Sequence, residues 1–204
     1  QVRQMLLNKT PKFGNDEDSV DLLAHEVYLI FIRELEKYKT ARWGRGPLGC
    51  ISYPCTATIS ANVPSGLSVG ASADGRKAGE PLAEGCSPFR GTDLRGPTAV
   101  ISSVAKMPTM LITGGNLLNQ KLAPGCLATP EGTSKLIGLV RSFFEKKGWH
   151  IQFNVVSART LKAAQKDPER YRDLVVRVAG YSALFGNLEP ATQDDIIART
   201  EHVL

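Results

Sequence analysis

The side chains best suited to nucleophilic or metal chemistry are widely scattered along this 204-residue sequence. The cysteines and histidines are Cys50, Cys55, Cys86, Cys126, His25, His150 and His202. Their spacing gives no Cys-x-x-Cys pair and no set of zinc ligands, so we expect reduced thiols and no metal site. His25-Glu26 begins like the helix motif of zinc proteases, but Leu29 occupies the position of the second histidine. The sequence therefore disfavours zinc-dependent hydrolysis.

One glycine in a strand-like segment is more informative. Gly180 interrupts the run Val175-Val176-Arg177-Val178-Ala179-Gly180-Tyr181-Ser182-Ala183, which is otherwise rich in β-forming residues. An isolated glycine at such a position usually marks a bulge, a tight turn or a close approach of two backbones. Taken alone, this residue therefore predicts only a turn in a soluble α/β binding module.

The first half of the sequence is predicted to contain a helix, a strand and a long loop. Residues 16–38 carry apolar side chains at every third or fourth position, which is typical of an amphipathic helix. Its inward-facing side chains are predicted to be Val20, Leu23, Ala24, Val27, Phe31, Leu35 and Tyr38. Residues 40–49 are predicted as a loop, and residues 51–63 as a strand because small and polar residues alternate there. A tight Asp-Gly turn at residues 73–76 and a long irregular segment at residues 77–97 follow.

The second half is predicted to alternate helices and strands. The elements are a helix at residues 133–147, a strand at 151–155, a helix at 158–166, a strand at 174–179 and a helix at 192–202. Gly148 is expected to end the first of these helices in the left-handed conformation, and Ser157 to cap the second. In the last helix we expect Ile196 and Ile197 to face inward and Asp195 to lie in the first turn. This order of elements is typical of an α/β protein.

Five sequence blocks closely resemble the glycyl radical enzymes, a family related to pyruvate formate-lyase. The blocks are Arg177-Val178-Ala179-Gly180-Tyr181-Ser182-Ala183, Gln193-Asp194-Asp195-Ile196-Ile197-Ala198-Arg199-Thr200, Ser60-Ala61-Asn62-Val63-Pro64, Ala73-Asp74-Gly75-Arg76 and Trp149-His150-Ile151-Gln152-Phe153-Asn154-Val155-Val156. The resemblance covers essentially the whole chain. It implies an α/β fold, the C-terminal part of a glycyl radical enzyme barrel with parallel half-sheets ringed by helices. The implied domains are the C-terminal part of the barrel core at residues 1–83 and the glycine radical domain at residues 84–204.

The resemblance also implies that Gly180 stores a radical. An unpaired electron on its Cα is delocalised over the flanking amides, which requires a planar centre that a Cβ would crowd. A separate radical S-adenosylmethionine activating enzyme with a 4Fe-4S cluster would remove one hydrogen atom, so the cofactor chemistry belongs to that partner. Because the activating enzyme must reach the glycine, the segment is expected to swing outward at times. Arg177, Val178, Ala179 and Tyr181 are the expected recognition contacts.

In the family the stored radical passes to a cysteine, which becomes a thiyl radical and attacks the substrate. In the dehydratase-like branches that cysteine lies in a Gly-Cys-x-Glu setting. The Gly-Cys pairs here are Gly49-Cys50, Gly85-Cys86 and Gly125-Cys126, and none is followed by the glutamate. These three cysteines are therefore interpreted as packed or loop thiols, and the catalytic cysteine is expected outside this chain.

The preferred function is anaerobic elimination of water from a small hydroxylated substrate, as in the glycerol, diol and hydroxyproline dehydratase-like branch. The alternatives are a glycyl radical decarboxylase, a C–S lyase, or a non-catalytic replacement subunit that repairs a damaged partner. This chain alone is expected to be inactive, because it begins at Gln1 in what resembles the middle of a larger enzyme. Its expected partners are the activating enzyme, the N-terminal remainder of the enzyme and a second copy in a homodimer.

Composition excludes several other classes of protein. The 42% of hydrophobic residues suffices for a packed core, and the net charge of +5 is modest. The longest purely apolar run, residues 27–32, is far shorter than the ~20 residues of a membrane span. Basic residues form no stripe with an aromatic stacking motif, so nucleic acid is not an expected partner. A cytoplasmic protein without a membrane segment is predicted.

Overall fold

A computed structural model of the chain describes residues 1–38 and 60–204. Its helices are α1 (Val2–Lys9), α2 (Asp18–Leu35), α3 (Asn62–Leu67), α4 (Gly96–Ala105), α5 (Pro130–Glu145), α6 (Ala158–Lys166) and α7 (Pro190–Ala198). Its strands are β1 (Leu117–Leu122), β2 (His150–Val155), β3 (Val175–Arg177), β4 (Ser182–Leu184) and β5 (Glu201–His202). The predicted loop at residues 40–49, most of the predicted strand at 51–63, Cys50 and Cys55 lie outside the described residues. No helix in the described part is long and apolar enough to cross a membrane.

A parallel sheet of order β2-β1-β5 forms the centre of the structure. Helix α5 follows β1 and leads back to β2, as a parallel pair requires. Successive side chains of a strand point to opposite faces. On one face of β1, Leu118 packs with the apolar side chains of α4 and α5, including Val100, Ile101, Leu139 and Phe143. The other face of β1 carries Asn119 and Lys121, and the Asn119 amide is directed at the Val178 carbonyl just after β3.

A second apolar core lies beneath the antiparallel pair β3–β4. It combines Leu161 of α6, Val176 of β3, Phe185 after β4 and Ile196 of α7, with Ile197 packed at its border. The predicted inward orientation of both isoleucines is therefore confirmed. The helix at residues 158–166 is also confirmed, and the backbone N–H of Thr160 donates to the Oγ of its cap Ser157 at 3.0 Å.

The predicted helix at residues 16–38 corresponds to α2. Of the predicted inward side chains, Ala24 packs against the core around Ile32, but others are exposed in this chain. Leu23, Val27 and Phe31 are 64%, 58% and 53% exposed, whereas Asp21 and Ile32 are buried. Apolar residues surround most of this helix, so their spacing alone does not select one face. The buried face is the one on which the Asp21 carboxylate accepts hydrogen bonds from Ser103 Oγ and Lys106 Nζ, both at 2.9 Å.

The predicted role of Gly148 at the end of α5 is also wrong, because Lys147 takes the left-handed conformation, with φ of 70°. The N–H groups of Lys147 and Gly148 donate to the carbonyls of Phe144 at 3.0 Å and Phe143 at 2.8 Å, which is the Schellman pattern. A Cβ on Gly148 would stand 2.4 Å from the Phe143 ring. Gly148 therefore allows close packing against the Phe143 ring, whereas Lys147 adopts the unfavourable positive φ.

Two further boundaries differ from the predictions. The last helix spans Pro190–Ala198 instead of residues 192–202, and the next residues form β5, which pairs with Lys121 and Leu122 of the central strand. Asp195 consequently lies in the middle of α7 and is buried. Residues 62–63, predicted as the end of a strand, lie in α3, where Pro64 is tolerated because first-turn N–H groups have no helical partner.

The segment between α3 and α4 agrees with its prediction. Gly75 turns the chain at φ of +97°, and its N–H donates to the Ser72 carbonyl at 3.1 Å. The chain then remains irregular until α4 begins at Gly96. Helix α4 and strand β1 were not anticipated from the pattern, although both belong to the core.

Candidate functional site

Gly180 lies at the tip of the β3–β4 hairpin. The ladder pairs Arg177 with Ser182, and the N–H of Val178 donates to the Tyr181 carbonyl at 2.9 Å, which leaves Ala179 and Gly180 in the turn. Gly180 has φ of +81° and is exposed in this chain. A Cβ built on it would meet no atom within 4 Å. The described residues therefore do not crowd a Cβ at position 180, contrary to the expectation. What favours glycine here is the positive φ of the backbone.

The four expected recognition residues surround the glycine but face in different directions. Val178 and Ala179 are buried, with 1% and 2% of their surface exposed. Arg177 is partly buried, and Tyr181 points outward, with its hydroxyl 2.6 Å from Ser60 Oγ.

Side chains, not a strand ladder, fasten this hairpin to the central sheet. Asn154 of β2 accepts a hydrogen bond from the Arg177 N–H at 2.8 Å through Oδ1, and donates to the Arg177 carbonyl at 2.7 Å through Nδ2. Arg199, just after α7, donates from a guanidinium nitrogen to the Val178 carbonyl at 2.9 Å. The backbone immediately before Gly180 is thereby held at three atoms.

A chain of buried polar side chains continues from Arg177 into the protein. Two guanidinium nitrogens of Arg177 donate to Gln152 Oε1 at 3.2 and 2.9 Å. The Gln152 amide donates to Asn119 Oδ1, and the Asn119 amide donates to the Glu84 carboxylate. Gln152, Asn119 and Glu84 are all buried. Such a network specifies one arrangement, because an unpaired polar group in a dry interior is costly.

A second polar cluster positions the Arg199 guanidinium. The buried Asp195 carboxylate accepts from Arg199 at 3.2 Å and from Arg90 at 3.1 Å. His202 Nε2 lies 2.8 Å from the Asp93 carboxylate. These residues line a cavity of about 30 Å³, which has room for about one water molecule. The cluster fixes the guanidinium that holds the Val178 carbonyl.

Two titratable groups near these clusters have lowered pKa values. Burial lowers the pKa of Lys121, whose Nζ donates to the Ile197 carbonyl at 2.9 Å. Burial also lowers the pKa of His150, and the nearby Arg177 guanidinium lowers it further. Both effects favour the neutral form of the His150 imidazole.

The described cysteines are not arranged as catalytic nucleophiles at the hairpin. Cys86 is buried beside Leu118 and Phe143, and its thiol donates to the Leu117 carbonyl at 3.0 Å. Cys126 lies partly exposed in the short turn between β1 and α5. Within residues 1–38 and 60–204, no three His, Cys, Asp or Glu side chains converge as a metal site.

The sequence pattern did not identify the residues that hold the hairpin. Asn154 and Gln152 occur on the polar side of a predicted strand, where they resembled solvent-facing residues. In a parallel sheet both faces are usually covered, so amides at alternate positions of such a strand indicate buried polar partners. The alternating amides of β2 give this signal. Nothing in the sequence pattern marks Arg199, because the predicted last helix includes it.

Comparisons with known proteins agree on one family. Residues 82–186 match the family described as glycine radical, and residues 1–66 match the family described as pyruvate formate lyase-like. The chain is 58% identical to a probable dehydratase, YbiW, of Escherichia coli K12, over 100% of this chain and 25% of the relative. It is 42% identical to the trans-4-hydroxy-L-proline dehydratase of Clostridioides difficile, over 98% of this chain and 24% of the relative.

The fold leads to the same family. The glycerol-bound B12-independent glycerol dehydratase from Clostridium butyricum superposes with a TM-score of 0.93 at 49% identity, covering 100% of this chain and 25% of that chain. The expected α/β fold of a glycyl radical enzyme is thereby confirmed, and the chain spans about a quarter of the length of these relatives. The matched segment 82–186 is just over half of the 204 residues and contains the whole β3–β4 hairpin with Gly180 at its tip. This chain therefore belongs to the glycine radical family.

Proposed function

We propose that this chain is the radical-storing C-terminal portion of an anaerobic glycyl radical dehydratase, and that Gly180 is the residue that carries the unpaired electron. The observation that supports this most is the position of Gly180 at the tip of the β3–β4 hairpin, within the segment 82–186 that matches the glycine radical family. The proposed division is a barrel-core part at residues 1–83 and a glycine radical domain at residues 84–204.

The proposed chemistry begins with the loss of one hydrogen atom from Cα of Gly180. A radical S-adenosylmethionine activating enzyme with a 4Fe-4S cluster supplies this step. The hairpin of this chain supplies the acceptor site, and the flanking amides of Ala179-Gly180 and Gly180-Tyr181 delocalise the electron. The protein's contribution is position and shielding, while the difficult chemistry belongs to the activating enzyme.

Arg177, Val178, Ala179 and Tyr181 are the proposed contacts of the activating enzyme. Two of them are buried and the Arg177 guanidinium is engaged with Gln152. Recognition of all four by the same partner therefore requires the hairpin to leave its position on the sheet.

The stored radical is proposed to pass to a cysteine outside this chain, which then takes a hydrogen atom from a small hydroxylated substrate and so starts the elimination of water. The names of the similar proteins support this reaction class, since a probable dehydratase, a hydroxyproline dehydratase and a glycerol dehydratase are among them. A homodimer of the complete enzyme is the proposed assembly.

Anaerobic activation of the complete enzyme tests this proposal. With the activating enzyme, S-adenosylmethionine and a reductant, we expect an organic radical with a doublet electron paramagnetic resonance signal. The doublet arises because one hydrogen remains on the radical carbon, so protein grown with Cα-deuterated glycine should give a narrow singlet instead. Reactions without S-adenosylmethionine are the control. Consumption of S-adenosylmethionine without any organic radical would contradict the proposal.

A further inference from the structure

We propose that Asn154 and Arg199 are positioning residues that hold the glycine hairpin closed, and that they set how often the activating enzyme can reach Gly180. This inference rests on the proposed function of Gly180. Two side chains, one on the sheet and one after α7, thus determine the equilibrium between a closed and an open hairpin.

The contacts of Asn154 and Arg199 are made to main-chain atoms directly before the glycine. Asn154 occupies both polar atoms of the Arg177 backbone at 2.8 and 2.7 Å, and Arg199 binds the Val178 carbonyl at 2.9 Å. Contacts to the backbone fix the path of the chain irrespective of the side chains at the tip. The hairpin therefore closes when these bonds form and opens when they break together.

The two residues are themselves held by rigid parts of the fold. Asn154 belongs to β2, whose residues 150–155 pair in register with residues 117–122 of β1. Arg199 is anchored by the buried Asp195, which is also paired with Arg90. By contrast, β3 pairs as a strand only with β4 within the described part of the chain, in a separate two-stranded sheet. The mobile member of this contact is therefore the hairpin, and the fixed members are Asn154 and Arg199.

The remaining closed-state contacts are made by side chains of the hairpin. The Arg177 guanidinium donates to the buried Gln152 at 3.2 and 2.9 Å, Tyr181 shares a hydrogen bond with the partly buried Ser60, and Val176 packs with Leu161 and Ile196. Val178 contributes apolar burial but no directional constraint. Removing the two Asn154 bonds is therefore expected to raise the open population by about tenfold.

An open hairpin has opposite effects on two measurable steps. The activating enzyme can contact the buried Val178 and Ala179 only in the open state, so the initial rate of radical installation at limiting activating enzyme rises with the open population. Turnover needs the closed state, where the glycine is in its working position, so turnover per installed radical falls. A residue with only a general stabilising role would lower both quantities, and this difference separates the two explanations.

The test compares Asn154→Leu with Gln165→Leu in the complete enzyme. The leucine at position 154 keeps the volume of the side chain but removes both bonds to Arg177. Gln165 is a matched control, because its amide makes an exposed 2.8 Å hydrogen bond to Asp194, between α6 and α7, away from the glycine hairpin. For Asn154→Leu we expect radical formation, followed by electron paramagnetic resonance, to be about tenfold faster, with turnover per radical reduced severalfold. Gln165→Leu should match the wild type.

Arg199→Lys and hydrogen exchange keep the inference testable if Asn154→Leu folds poorly. Lysine keeps the charge beside Asp195 but loses the forked guanidinium, so activation should again be faster and turnover per radical lower. In the unactivated enzyme, amides of residues 174–186 should exchange about tenfold faster in either variant, while those of β1 remain unchanged. If the wild type acquires a radical but both variants activate at the wild-type rate or more slowly, the inference is wrong. If the wild type acquires no radical, the proposed function itself fails.

Discussion

Gly180→Ala is expected to abolish the glycyl radical signal completely while leaving the protein folded. The added Cβ meets no described atom within 4 Å, so it creates no clash in this chain. Among the described residues the structural cost is the positive φ of 81°, which an alanine adopts at a cost of about 1–2 kcal/mol. A loss of the radical in this variant can therefore be attributed to the chemistry at Cα and not to unfolding.

The measurement is electron paramagnetic resonance after anaerobic activation, with circular dichroism to confirm the fold. Gly186→Ala is a matched control in the turn that follows the hairpin. Its Cβ would have only an ordinary contact, 3.8 Å from Pro168, and its φ is not in the left-handed region. That variant should keep the full signal. A radical of wild-type intensity in Gly180→Ala would place the unpaired electron elsewhere.

Asp195→Ala is expected to cause the largest loss of stability near the site. The carboxylate is only 6% exposed and binds Arg90 and Arg199, whose side chains are 20% and 12% exposed. Its removal leaves two largely buried guanidinium groups without their anion, and breaking such a pair costs about 3 kcal/mol or more. Because Arg199 also holds the Val178 carbonyl, the loss should extend to the glycine hairpin.

Native-state hydrogen exchange measures this effect locally, which suits a large enzyme in which a single unfolding free energy is poorly defined. Amides of α7 and of residues 174–186 should exchange on the order of a hundredfold faster in Asp195→Ala. Asp194→Ala is the control, since its neighbouring carboxylate is exposed and makes one surface hydrogen bond to Gln165. Equal exchange in the two variants would show that the buried pair does not stabilise the site.

The parts of the fold that depend on local pattern could be predicted from the sequence. Ser157 caps α6 because its hydroxyl accepts a hydrogen bond from a first-turn N–H, and Ile196 is buried because it packs into the apolar core beneath the hairpin. Gly75 turns the chain because the dipeptide Asp74-Gly75 favours a tight turn with a positive φ. The position of Gly180 in the site followed from a sequence block, and its hairpin conformation agrees with the expectation of a turn.

The parts that depend on competition between distant groups could not be predicted. The buried face of α2 was selected by a polar contact of Asp21 with Ser103, which no periodicity reveals. At the end of α5, Lys147 takes the left-handed position, and Gly148 is instead the residue whose Cβ the Phe143 ring would exclude. The hydrogen bonds by which Asn154 holds the hairpin could not be predicted for the same reason, since their partner, Arg177, is 23 residues away in the chain.

Exposure of the activated enzyme to air is the most direct test of the central claim, that Gly180 stores the radical. Oxygen adds to a carbon-centred backbone radical, and the resulting peroxyl group leads to cleavage of the chain at that residue. Peptide mass spectrometry should locate the cut at Gly180, with its yield following the loss of the radical signal and with no cut in unactivated protein. Loss of the radical with the backbone intact, or a cut at another residue, would contradict the account.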